Sequence, residues 1–174
     1  MAFSMSQASL PAFEIGLHAL SALLDKAEAF AAAKKIDSSV LLQSRLAPDM
    51  FPLTRQVQIV ADQAKNGASR LAGVDPPRFE DNETTVEQLK ARIAKTIAYL
   101  KTIDAKKIDA AADREITFPL GPNNKGHMQG GDYLNHFVLP NFYFHLTTAY
   151  DILRQCGVEL GKRDYMGAIP MRMT

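Results

Sequence analysis

A single cysteine, Cys156, is all the sulfhydryl chemistry the sequence offers. One thiol excludes an intramolecular disulfide and a CxxC site, fits a reducing compartment, and reads as a small apolar side chain in the packing. Charge of one sign is missing too. Twenty Lys and Arg stand against 19 Asp and Glu, a formal charge of +1. No overall field draws the chain to phosphate backbones or anionic lipid, so neither nucleic acid nor a membrane is an expected partner. No apolar run reaches the roughly 20 residues that a membrane span needs. Met1 to Leu10 holds no basic segment followed by an apolar run, so no secretory signal is read there and the expected location is cytoplasmic.

Chemical fingerprints are equally scarce. HExxH, a histidine pair at i and i+4, a P-loop, GxGxxG and GxSxG are all absent. Gly121, Gly126, Gly130 and Gly131 bracket a hairpin pattern and form no phosphate loop. The aromatic run Phe137, Phe142, Tyr143 and Phe144 has no basic residues interleaved, which suits core or interface packing better than base stacking.

What is present is a chain of 174 residues, 47% hydrophobic and 22% charged. That is enough to bury a full core as one domain over residues 1–174. The spacing of apolar residues predicts a mainly all-α fold, an up-and-down four-helix bundle. The first long helix is expected from Ser9 or Pro11 to Lys34, with Ser9 as cap. Its polar residues Glu14, His18, Ser21, Asp25 and Glu28 share one narrow arc, and most of the remainder is apolar. Such a helix is central or lies in an oligomer interface. Ile36 to Leu46 adds a short helix capped by Asp37 or Ser38. Leu53 to Leu71 is the second long helix, its small residues allowing close approach of a neighbour, and Gly73 stops it.

Thr84 with Glu87 reads as a capping box opening the third long helix, which fades near Asp104. From Arg114 the period becomes alternating, with Ile116, Phe118 and Leu120 on one side. A small β-hairpin is expected over about 114–130, before the last long helix. Asp132 is the predicted cap of that helix and Gly157 its stop, with a kink or break at Pro140. The tail, 158–174, has no strong period and is expected to wrap the surface.

Four histidines are the natural candidates for chemistry. His136 and His145 are nine residues apart, half a turn out of phase on a regular helix, and are not expected to share a metal unless the distortion at Pro140 is very large. His18 pairs with Glu14 on a polar face, and His127 and His136 read as surface residues. His145 falls in the apolar seam with Leu134, Val138, Asn141, Ala149, Ile152 and Cys156, and Thr148 at its edge. A buried imidazole beside Asn141 and Thr148 needs internal hydrogen bonds, water, a metal or a ligand.

Several stretches together resemble a known family. They are Leu46–Leu53 (LAPDMFPL), Arg55–Ile59 (RQVQI), Asp132–Leu134 (DYL), Leu139–His145 (LPNFYFH), Thr147–Arg154 (TTAYDILR) and Gly157–Tyr165 (GVELGKRDY). They resemble the domain of unknown function DUF1993, a branch of the DinB and YfiT-like bundles. The resemblance implies four antiparallel helices, frequent homodimers and, in many relatives, a divalent metal held by three histidines. One ligand would come from the second long helix and two from a later helix at i and i+4. Here His145 matches one of the latter, but position 149 is alanine, and the second helix offers Asp62 and Gln63 where a histidine belongs.

The expectation is therefore a small-molecule-binding or interaction bundle with a degenerate metal site. Its ligand pocket would lie around His145, Asn141 and Thr148, facing Gln56, Gln63 or Asp62. No cofactor is expected, and any divalent metal would use His145 and Asp62. The alternatives are a metal-dependent transferase or hydrolase of the DinB-like kind and a structural homodimer without ligand, so whether the chain is an enzyme stays open. Lys162, Arg163 and Asp164, which the resemblance highlights, are expected to pin the tail.

Overall fold

The computed structural model describes residues 4–171. Its elements, in order, are α1 (Met5–Lys34), α2 (Ser38–Gln43), α3 (Leu53–Ala72), α4 (Val86–Leu100) and α5 (Ala105–Asp109). The hairpin β1 (Glu115–Leu120) and β2 (Asn124–Gln129) follows. Then come a short α6 (Gly130–Asp132), a π-helical stretch Tyr133–Val138, α7 (Leu139–Gln155) and α8 (Lys162–Met166). The chain is mainly helical with one two-stranded sheet. α1 packs against α4 and α7, and α3 packs against the same two helices. No described helix is long and apolar enough to cross a membrane.

Capping moves three helix starts from where the sequence pattern puts them. α1 begins at Met5, because Ser4 Oγ accepts from Gln7 N–H while the Gln7 side chain accepts from Ser4 N–H. Ser9, the expected cap, is buried inside the helix and donates to the Met5 carbonyl. The box before α4 is Thr85 with Gln88, one position after the expected pair Thr84 and Glu87. Asp132 caps nothing: the helical run starts at Gly130, where the amides of Gly130 and Gly131 donate to the Arg114 and Ala112 carbonyls. Asp37 does cap α2, its carboxylate accepting from Ser39 N–H at 2.8 Å. Gly73, at φ +71, closes α3.

The proline in the last long helix acts upstream of itself. Pro140 has no N–H for the His136 carbonyl, and the preceding turn widens to π geometry, Leu139 N–H reaching back five residues to Leu134 O. One extra residue in the turn changes the phase of everything after it. The buried stripe of α7 accordingly runs through Phe142, Leu146, Ala149 and Leu153, and Asn141 and His145 fall on its half-buried flank. Gly67 on α3 lets the π stretch close in: a Cβ there would lie 2.5 Å from Val138 Cγ1.

In the hairpin Ile116 pairs with Met128 and Phe118 with Gly126. Ile116 and Phe118 are buried, but Leu120, expected on the same side, is exposed at the turn end. Phe118 packs against Tyr133 and Phe137 at ring-centroid distances of 4.9 and 4.4 Å. Arg114, just before β1, donates to the Arg70 and Leu71 carbonyls and so satisfies the C-terminal end of α3.

The apolar breadth of α1 is met within the chain. α8 lies along α1, with Lys26 Nζ bonded to Asp164 at 2.7 Å. The hydroxyls of Thr147 and Tyr165 meet at 3.0 Å, and Tyr150 meets the Tyr165 ring edge-on. At Gly167 a Cβ would touch Ala19 and Ile15, so the tail covers the side of α1 that the sequence left open to an oligomer contact. Of the three highlighted tail residues Asp164 is the pin, and Lys162 and Arg163 are exposed.

Candidate functional site

His145 reaches from the flank of α7 to α3. Its Nδ1 lies 2.7 Å from Oε1 of Gln56, a fully buried residue in the first turn of α3. The chain holds the Gln56 amide by its other end, where Nε2 donates to the Phe51 carbonyl at 3.0 Å. Turned the other way, the amide would set its oxygen against that carbonyl, so Oε1 must face the imidazole. An amide oxygen only accepts, and Nδ1 is therefore the protonated nitrogen. Nε2 keeps its lone pair. It has no partner among the described residues and is not among their buried unpaired atoms, which leaves it open to solvent.

Burial, with the nearby charge of Arg55 as a smaller cause, pushes the His145 pKa down to about 4. The ring is neutral at physiological pH. The Phe144 ring stands edge-on to it at 5.1 Å and is 57% exposed.

The remaining candidates go elsewhere. The Asn141 amide donates to the Phe137 carbonyl at the π distortion, and the Thr148 hydroxyl donates to the Phe144 carbonyl. Gln63 is half-buried and makes no side-chain hydrogen bond among the described residues. Asp62 faces α4, where its carboxylate meets Arg92 at 2.9 Å and Lys65 at 3.1 Å. Of the six pocket residues read from the sequence, only His145 and Gln56 are joined by a side-chain hydrogen bond among the described residues. An open cleft of about 510 Å³ between α1 and Gly157–Glu159 and one of about 390 Å³ beside Phe79 include neither of them. The other histidines are exposed, His18 near Glu14, His127 near Glu115 and His136 near Asp132.

A metal of the three-histidine kind does not fit these side chains. One turn after His145 stands Ala149, fully buried, and the α3 residue facing the imidazole is Gln56. Among the described residues no three His, Cys, Asp or Glu side chains converge as a ligand set.

A second polar cluster escaped the sequence reading. The Arg92 side chain, 2% exposed, binds Asp62 and Asp81 through Nη2 and Glu83 and the Glu80 carbonyl through Nη1. Burial opposes its charge, but the bond to Glu83 and the charges of Asp62, Glu83 and Asp81 raise its pKa. The Phe79 ring beneath is flanked by the ammonium groups of Lys65 and Lys95 at 4.2 and 4.1 Å. This network fastens residues 79–83 to α3 and α4, and each cation already has an acidic or aromatic partner. Its only sequence signal is Arg92 at a buried position of the α4 stripe, beside Leu89 and Ile93.

Comparison with known proteins agrees with the stretches that suggested a family. The model of the domain of unknown function DUF1993 matches residues 5–166. The structure is similar to the 1.83 Å crystal structure of a DinB family member protein from Shewanella denitrificans, at 43% identity and a TM-score of 0.90, over 98% of this chain and 96% of that one. No curated protein matches.

Proposed function

The chain belongs to the family of the domain of unknown function DUF1993, and on that premise we propose that it is a small-molecule-binding or interaction bundle whose site is the His145–Gln56 pair. The observation that carries the reading is the open Nε2 of a neutral imidazole whose other nitrogen is fixed by a buried amide. A general base works best with a pKa near the operating pH, and a ring at about 4 is a weak base but a good hydrogen-bond acceptor. That favours binding over a transferase or hydrolase built on His145. The donor set favours a site without a divalent metal, since Asp62 is engaged by Arg92 and Lys65.

We read the four longer helices as one up-and-down, DinB/YfiT-like bundle domain acting in the cytoplasm. We propose a homodimer that does not use the side of α1 occupied by the tail. Light scattering should give about twice 19.2 kDa, and a monomer refutes the dimer.

Metal analysis of protein purified without a histidine tag, with thermal shift across zinc, nickel and iron, tests the site. No bound metal and no shift support the binding reading. Stoichiometric metal lost in a folded His145→Ala variant replaces it with the metal-dependent enzyme.

A further inference from the structure

Resting on the reading of the His145–Gln56 pair as a binding site, we propose that the site selects uncharged ligands carrying an O–H or N–H donor next to an apolar body, phenols and comparable alcohols above all, and rejects carboxylates. The selectivity follows from the tautomer of His145. The Phe51 carbonyl orients the Gln56 amide, the amide oxygen accepts from Nδ1–H, and Nε2, without a partner among the described residues, is left as an acceptor. A carboxylate meets a lone pair with a lone pair, and so does an ether oxygen. A hydroxyl brings the proton that Nε2 lacks.

The surroundings point the same way. Arg55, whose charge reaches the imidazole, already binds Asp81 and the Gln58 side-chain oxygen, so that charge is partly compensated before any anion arrives. The exposed ring of Phe144, perpendicular to the imidazole at 5.1 Å, offers a face or edge to an aromatic or aliphatic body whose hydroxyl reaches Nε2. One hydrogen bond beside one apolar contact gives weak but selective binding. Loss of the donor alone corresponds to about a five- to tenfold weakening.

Nitrogen-15 NMR of the histidine rings in the whole protein tests this without a variant. In the free protein at neutral pH, His145 Nδ1 should resonate as protonated and Nε2 as unprotonated. Phenol should move Nε2 saturably and about five- to tenfold more tightly than anisole, which has the same ring and no donor, while benzoate leaves it unmoved. Gln56→Met, shown to be folded by its amide spectrum, should shift His145 toward the other tautomer and erase the preference for phenol over anisole. A free protein with Nε2 protonated overturns the inference and leaves the binding reading standing. So does anisole or benzoate binding as tightly as phenol. The correct tautomer with no response to any of the three probes overturns the inference and the binding reading together.

Discussion

Nδ1 of His145 on α7 and Oε1 of Gln56 on α3 meet at 2.7 Å across 89 residues of sequence. The contact joins the middle of the last long helix to the first turn of α3, and burial there keeps the imidazole neutral. Four measurable outcomes follow from this contact and from the features that support the fold around it.

Stability should fall with pH through the His145 ring. The folded ring binds its proton only near pH 4, the unfolded one near its ordinary 6.5. Above 6.5 both states are neutral and the stabilisation is fully present. As pH falls from 6.5 toward 4 the unfolded chain is protonated first, and the stabilisation is lost. A shift of this size is worth about 3 kcal/mol at most, reduced to about 1–2 by the solvent that reaches the ring. In denaturant unfolding at pH 7 and pH 5, His145→Gln should lose less stability between the two than the parent. Equal losses would detach the pH dependence from this residue.

Arg92 should matter far more than its exposed neighbour Arg55. Arg92→Met leaves Asp62, Asp81 and Glu83 facing one another without their shared cation, and a broken buried pair typically costs about 3–5 kcal/mol. Arg55→Met removes an exposed pair worth about 0–1 kcal/mol. Thermal or urea unfolding ranks the two, and comparable effects would contradict the network described.

Removing the chain after Gly161 should uncover Ile15 and Ala19. Hydrogen exchange along α1 should accelerate, and light scattering should show association beyond that of the full-length chain. Asp164→Ala should produce a milder form of the same change by releasing Lys26. Unchanged exchange in α1 would mean that the tail is not its cover.

Gly73→Ala should destabilise the end of α3 by about 1–2 kcal/mol, through the positive φ and through a Cβ placed 2.5 Å from Arg114 Nη1. Arg114→Ala removes the same cap from the other side, at about 1 kcal/mol. The double variant should lose less than the sum, since both changes disrupt one contact. Full additivity in a double-mutant cycle would separate them.

The long helices and the hairpin are legible in the sequence because burial repeats along each of them, and a stripe such as Leu53, Val57, Val60, Ala64 and Leu71 has no other economical arrangement. Gly73 and Gly157 are legible as stops because few other residues tolerate positive φ. Helix starts were less readable, since Thr84 and Thr85 are both plausible caps and only the fit of Gln88 decides between them. The site was half legible. His145 stood out as the inward histidine, yet its partner could not be chosen among Gln56, Asp62 and Gln63 without knowing which face of α3 turns toward α7. Arg92 decides this in part by holding Asp62 on the other side. The Phe51 carbonyl, which fixes the amide and hence the tautomer, is a backbone atom and leaves no mark in a side-chain pattern.

The π stretch Tyr133–Val138 makes the face that α7 presents sensitive to chain length rather than to composition. Deleting the exposed Asn135 would shorten the run by one residue without touching a single buried side chain. Each helical position turns by about 100°, so the segments on either side would have to rotate against each other by that amount or rebuild the wide turn from their neighbours. In the first case Phe142, Leu146 and Ala149 leave the interior, and His145 swings away from Gln56. Insertions and deletions at this one place are therefore a far harsher disturbance than any substitution there.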